Sequence, residues 1–296
     1  MPHPFRKIII LGNSGFIGTH LEPALRKNNP QVEIAGFSSS ELNLLSRHEA
    51  LRLQSLVDEK TAIIMCSMLK KEAGDSLEVY SKNVEMAVNL CHALQKKAVS
   101  RFVYLSSTAV YGEEVNNLNI TETTSLQPTS YYGMAKCACE NLFRKVIGSQ
   151  NKDALLILRP PLVYGPNDRS QAYGPAGFTK KAVASQKIVL WGDGTELREF
   201  LFVDDLVNVI LRLWASDVSG VVNIVASAKY TFKDILNILS EKLERTLPIE
   251  IRERSKSKVD NCFDNTLLRK LLPDVRFTAL AQGIQITIDC ELNLVK

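Results

Sequence analysis

Short unbroken apolar runs alternate along this chain with stretches whose apolar residues recur every three or four positions. Lys7 to Leu11 (KIIIL) is the first run, and Val32 to Phe37, Thr61 to Cys66, Arg101 to Leu105 and Ala154 to Leu158 follow it. Runs that are apolar at nearly every position predict strands buried on both faces. Between them, Gly15 to Arg26, Arg47 to Val57, Leu77 to Lys97 and Thr129 to Ile147 predict helices. Pro23 falls inside the first of these and is expected to bend or shorten it. Strand and helix in regular alternation predict an α/β fold, a doubly wound parallel sheet covered on both faces.

The second half has a different texture. Gly165 to Gly177 is rich in Gly, Pro and polar residues and predicts a loop able to reach over a ligand. Phe200 to Trp214 predicts a short strand running into a helix. Gly220 to Val225 predicts a buried strand, and Thr231 to Leu243 a helix. Arg252 to Lys258 (RERSKSK) is a basic segment of the kind usually found as solvated surface.

At 296 residues the chain suits one large domain or two intimate ones, and 45% hydrophobic content excludes disorder as its dominant state. A net charge of +4 is too weak to imply a nucleic-acid partner. No apolar run approaches the ~18 residues that a membrane helix needs. Arg6 and Lys7 precede only Ile8 to Leu11, so no signal peptide is read there. Six cysteines without C-x-x-C spacing imply reduced thiols and a cytoplasmic location. Cys137 and Cys139 would need further ligands to hold a metal. His3, His20, His48 and His92 do not group with them, so no metal is expected.

Two motifs carry chemistry. Gly12-Asn13-Ser14-Gly15-Phe16-Ile17-Gly18 lies between the first strand and the first helix. Glycines there allow a tight turn, close approach of a pyrophosphate and close helix packing, and the helix N-terminus attracts the anion. Dinucleotide binding is the expectation. Tyr132 and Lys136 lie four residues apart, on one helix face. A nearby ammonium favours a phenolate, so Tyr132 could exchange a proton with a hydroxyl. The fourth strand ends in Ser106-Ser107, at the sheet edge where α/β proteins bind ligands.

The G-x-x-G-x-x-G spacing with Phe16-Ile17-Gly18 resembles the extended short-chain dehydrogenase/reductase family, the NAD(P)-dependent epimerases, dehydratases and reductases. Ser107 aligns with its catalytic Ser/Thr, three residues before the Val of Val110-Tyr111-Gly112. Asn83-Val84, Arg159 to Pro166, Trp191-Gly192-Asp193-Gly194 to Phe200, Val203-Asp204-Asp205 and Gly220 to Ile224 resemble its later motifs in order. The resemblance implies a Rossmann-like cofactor domain, residues 1–165 plus 199–226, and a smaller α/β substrate domain, residues 166–198 plus 227–296. It implies Ser107, Tyr132 and Lys136 as catalytic residues. Cofactor contacts would come from Gly12, Gly15, Phe16, Ile17, Gly18, Ser38, Asn43, Asn83, Ser106, Tyr132, Lys136 and Leu162. Arg198 and Arg254 would grip the diphosphate of a nucleotide sugar, Arg198 having a salt bridge to Glu196 or Glu199 as its alternative role.

Departures from the family pattern narrow the activity. Dehydratases of the family carry Asp-Glu after the catalytic hydroxyl, and decarboxylating members keep the Glu. Here Thr108 and Ala109 stand there, and neither moves a proton at neutral pH. Chemistry needing one hydride and one proton remains: epimerisation at sugar C4, or one-way 4-ketoreduction, which the Ser38 to Leu44 loop resembles. A non-catalytic dinucleotide sensor would not need the proton-transfer set. No carboxylate is expected to reach the end of the second strand, where it would exclude a 2′-phosphate. Weak discrimination between NAD and NADP, with NADP bound at least as well, is therefore expected. The resemblance leaves a homodimer open.

Overall fold

The computed structural model describes residues 5–69, 74–169, 174–254 and 257–295. β1 (Lys7–Leu11) leads into α1 (Phe16–Asn28) and β2 (Glu33–Phe37). Two short helices, α2 (Arg47–Leu51) and α3 (Leu53–Leu56), precede β3 (Thr61–Met65), α4 (Leu77–Leu94) and β4 (Arg101–Leu105). Then come β5 (Asn117–Ile120), α5 (Tyr131–Gln150), β6 (Leu155–Arg159), β7 (Leu162–Tyr164) and α6 (Pro175–Val183). β8 (Ile188–Trp191), β9 (Leu197–Arg198), β10 (Phe200–Phe202), α7 (Val203–Leu213) and β11 (Gly220–Asn223) follow. The order ends with β12 (Tyr230–Thr231), α8 (Phe232–Lys242), β13 (Ile249–Arg252), β14 (Asn261–Phe263), α9 (Thr266–Leu271) and α10 (Leu280–Val295).

The chain divides into two compact units. The first comprises Met1–Gly112, Ser125–Pro160 and Val207–Asn223. Its sheet has six parallel strands in the order β11-β6-β4-β3-β1-β2. β3, β4 and β6 are buried at every position, as unbroken apolar runs require. Ile63, Phe102, Tyr104 and Ile157 share one core with Leu90, Phe143 and Ile147 from α4 and α5. The Phe143 ring lies 4.8 Å from the rings of both Phe102 and Tyr104. Because all strands run the same way, their C-terminal ends share one edge. β2 lies on one side of β1 and β3 on the other, so the loops after β1 and β3 diverge there, which is where open α/β sheets bind ligands. α1 runs on through Pro23 without being shortened. Pro23 is exposed, so the Thr19 carbonyl that it leaves without a donor faces water.

The second unit comprises Glu113–Thr124, Pro161–Leu206 and Ile224–Lys296. It is built on four strand pairs: β7 with β10, β8 with β13 and β5 with β14, all parallel, and β9 with β12, antiparallel. Phe178, Phe200, Phe202, Ile235, Leu239, Ile284 and Ile288 form its core. Four segments expected in the cofactor domain fall in this unit: residues 113–124, which carry β5 to its partner β14, residues 161–165 and 199–206, which carry the pair β7 and β10, and residues 224–226. The expected 165–177 loop gives way to α6 at Pro175, and its residues 170–173 lie outside the described residues, as do 255 and 256 of the basic segment. Among the described residues no helix is long and apolar enough to cross a membrane.

Candidate active site

The glycine turn is built for close approach. Gly12 has φ +90°, a conformation that favours glycine, and a Cβ there would stand 2.8 Å from the Ser67 nitrogen. Gly18 allows α1 to pack on the turn, since its Cβ would meet the Gly12 carbonyl at 2.3 Å. Gly15 precedes α1 and offers no side chain to cap it. An uncapped helix start beside a glycine cradle fits the pyrophosphate of a dinucleotide. Phe16 and Ile17, half-buried, form the first turn. Asn13 was not foreseen as part of this cradle. Its amide donates to Glu22 at 2.9 Å, and its side-chain oxygen is buried with no hydrogen-bond partner.

The end of β2 corrects one expectation. Glu41 folds back onto the strand end: the Ser38 N–H and Oγ–H donate to its carboxylate at 2.8 and 2.7 Å. Those bonds hold the Glu41 carboxyl below its ordinary value. A carboxylate therefore does stand at the end of the second strand. The Asn43 side-chain oxygen accepts from the Leu45 N–H at 3.0 Å and shapes the turn towards α2.

Ser130 caps α5 by accepting from the Gly133 N–H at 3.1 Å, and Asp75 accepts from the Tyr132 N–H at 3.1 Å. Tyr132 is thus pinned through its backbone while its side chain stays half-exposed. Lys136, one turn on, is buried, with Nζ 5.8 Å from the Tyr132 ring centre and 5.0 Å from that of Tyr104. It donates to the Leu105 carbonyl. Burial lowers its pKa to about 8, opposed by Cys139, Cys66 and Glu140. Desolvation pushes the Cys66 thiol up to about 12, which suits packing rather than reactivity. Ser107 opens a tight turn, Thr108–Tyr111, and accepts from the Ala109 N–H at 3.1 Å, a bond that does not use its own O–H hydrogen.

Two expected cofactor contacts have other duties. Ser106 is buried, and its hydroxyl donates to Glu140 at 2.5 Å. The Asn83 amide is spent on Leu69, accepting from its N–H at 2.8 Å and donating to its carbonyl at 3.0 Å. Both side chains are thus engaged within the protein. Glu140 and Arg159, which hydrogen bond at 2.6 and 2.8 Å, were missed as a pair. The available signal was a carboxylate four residues beyond Lys136, on the inward stripe of a helix, where it must find a partner.

In the second unit a cavity of about 620 Å³ is lined by Glu113, Glu114, Trp191, Glu196, Arg198, Arg254, Ser257 and Val259. Both expected arginines thus reach one cavity. Arg198 donates to the carbonyls of Leu197 at 2.9 Å and Val259 at 2.5 Å. Arg254, not Arg198, pairs with Glu196 at 3.0 Å and also with Asp193 at 2.6 Å. Glu199 turns inward and accepts from the backbone of Ala226 and Ser227. Leu162 is half-buried on β7, in this unit. Among the described residues no group of three or more His, Cys, Asp or Glu side chains could hold a metal.

Residues 8–225 match the model of the NAD dependent epimerase/dehydratase family. The chain belongs to that family. It is 27% identical to GDP-mannose 3,5-epimerase of Arabidopsis thaliana, over 95% of this chain and 81% of that protein. Two solved structures share the fold of this family member. One is a Thermus thermophilus UDP-glucose 4-epimerase complex with NAD, with a TM-score of 0.81 at 20% identity over 96% of this chain and 98% of the other. The other is a UDP-glucuronic acid 4-epimerase from Bacillus cereus in complex with UDP-glucuronic acid and NAD, with a TM-score of 0.82 at 20% identity over 97% and 99%. The glycine turn, Tyr132 and Lys136 all lie inside the matched span, so the residues that suit NAD belong to the family's own region.

Proposed function

We propose that this family member is a nucleotide-sugar 4-epimerase that uses NAD(H). The observation that carries the reading is the half-exposed Tyr132 backed by the buried ammonium of Lys136 at the sheet edge. Bound NAD supplies the acceptor and donor of hydride at C4. Tyr132 takes the proton of the C4 hydroxyl as hydride leaves that carbon, and returns it after the keto sugar has turned over. Lys136 favours the phenolate by its charge. Ser107 orients the C4 oxygen by donating to it. Arg198 holds the diphosphate, for which its planar fork is suited.

Inversion at C3 or C5, as the name of the plant relative describes, requires a second acid–base pair to move a carbon-bound proton. Thr108 and the buried Ala109, which follow Ser107, cannot supply it. This favours C4. The Glu41 carboxylate at Ser38 suits a ribose diol and repels a 2′-phosphate, so NAD(H) is read as preferred over NADP(H).

The test is to incubate the protein with UDP- and GDP-sugars and the matching 4-keto sugars, with each cofactor. Interconversion without net cofactor change is expected. Stoichiometric oxidation of reduced cofactor would make it a 4-ketoreductase instead, and cofactor binding without turnover would make it a sensor. Dissociation constants measured at one ionic strength should favour NAD(H) by more than ~10-fold, about 1.4 kcal/mol.

A further inference from the structure

We propose that the buried Glu140–Arg159 ion pair is the positioning device of the proton-transfer set, fixing the strand end that carries Ser107 against α5 and balancing the charge that Lys136 feels. Only its catalytic consequence rests on the proposed function.

Tyr132, Lys136 and Glu140 recur at four-residue intervals on α5, so they form one stripe. Glu140 is fully buried. Its Oε1 accepts from Arg159 Nε at 2.8 Å and from the Ser106 hydroxyl at 2.5 Å. Its Oε2 accepts from Arg159 at 2.6 Å and from Arg144 at 3.0 Å. Arg159 also donates to the Tyr111 hydroxyl at 2.7 Å, which donates in turn to Asn223 at 2.8 Å. One network therefore ties together α5, the ends of β4, β6 and β11, and the turn that Ser107 opens. Ser106 is next to Ser107 in the chain, so the Ser106–Glu140 bond sets where the Ser107 backbone lies relative to Tyr132.

The same network is electrostatic. Burial alone would raise the Glu140 carboxyl, but Arg159, with Ser106 and Arg144, holds it below the ordinary value. The groups that face Lys136 are Cys66 after β3, Tyr104 and the Leu105 carbonyl on β4, and Tyr132, Cys139 and Glu140 on α5. Glu140 is the carboxylate among them, and Arg159 lies directly behind it. Removing one partner leaves the other's charge acting on Lys136 uncompensated.

The test is a pH titration of the full chain labelled biosynthetically with 13Cε-lysine, so that Nζ is unmodified, with the Lys136 signal assigned by its loss in Lys136→Arg. It needs no substrate, so its failure is distinct from failure of the epimerase reading. Glu140→Gln leaves Arg159 unopposed and should lower the Lys136 midpoint by about one pH unit. Arg159→Met leaves Glu140, still held by Arg144 and Ser106, and should raise it. The double variant should return it close to the wild-type value. Where substrate turnover is measured, the alkaline limb of kcat/KM should move the same two ways. Ser106→Ala removes a bond without removing charge, so it should leave the midpoint in place while lowering kcat about tenfold. If Glu140→Gln fails to fold, Arg159→Met against the double variant still reads the sign. Folded variants whose midpoints stay fixed or move in one direction would overturn the proposal and reduce the pair to a fold-stabilising contact.

Discussion

The Tyr132 backbone N–H donates to Asp75 at the start of α5, a bond that replacing the side chain by phenylalanine keeps. Tyr132→Phe should keep the melting temperature and the NAD dissociation constant but lower kcat by at least ~10²-fold. An unchanged kcat would remove Tyr132 from the mechanism. Arg198→Ala should raise KM for the nucleotide sugar more than it lowers kcat, because a diphosphate lies far from the reacting carbon and is held alike in ground and transition states. A lower melting temperature with KM unmoved would mean that Arg198 serves only the Leu197 and Val259 carbonyls. At this scale, residues whose spacing is local were legible in the sequence. Tyr132 with Lys136 is such a pair, and so is the glycine turn. The bonds that engage Ser106 and Asn83 were not legible, because their partners, Glu140 and Leu69, lie elsewhere along the chain and no periodicity names them. Glu41 was misread because a strand-end model ignores a loop that turns back on itself.

Elements add constraints that no single residue shows. Gly18 sits where α1 meets the turn after β1, with backbone at 2.3 and 2.6 Å from any Cβ. Backbone cannot rotate aside as a side chain can, so Gly18→Ala should abolish measurable NAD binding before it unfolds the sheet. Calorimetry alongside circular dichroism would show this, and retained binding would place the pyrophosphate elsewhere. The segment leaving β11 is held by Glu199 on the second unit's side, and burial raises that carboxyl to about 7. A folded value above the unfolded one means that the protonated form is favoured on folding. Stability from this group is therefore complete at low pH and lost between the ordinary value of 4.5 and about 7. For a buried carboxyl such a displacement is worth about 3 kcal/mol. Melting temperature should fall more steeply across that range in the wild type than in Glu199→Gln, and parallel curves would show that Glu199 titrates normally. The central strands were readable because each has four consecutive apolar residues among its five. β9 and β12 have two residues each, too short for any alternation to register.

For the whole molecule, alternation of strand and helix was enough to predict the parallel sheet, while the division of the chain was only partly legible. The boundary depends on which strands pair, and β5 with β14 are pairing partners separated by most of the second half of the sequence. The division has a genetic consequence. The chain passes from one unit to the other after Gly112, Thr124, Pro160, Leu206 and Asn223. No single cut in the gene can yield two self-sufficient polypeptides. A fragment ending at Pro160 would lack β11 at the sheet edge, and its complement would lack β5. Expressed alone, each should be insoluble or degraded, whereas co-expression of the two should recover a soluble, NAD-binding complex. Independent folding of either piece would mean that the crossings are dispensable. The same interlacing means that an evolutionary exchange of substrate specificity cannot proceed by swapping one contiguous module. It must proceed by substitution in three separate stretches, the first two of which must also return the chain to the first unit in place.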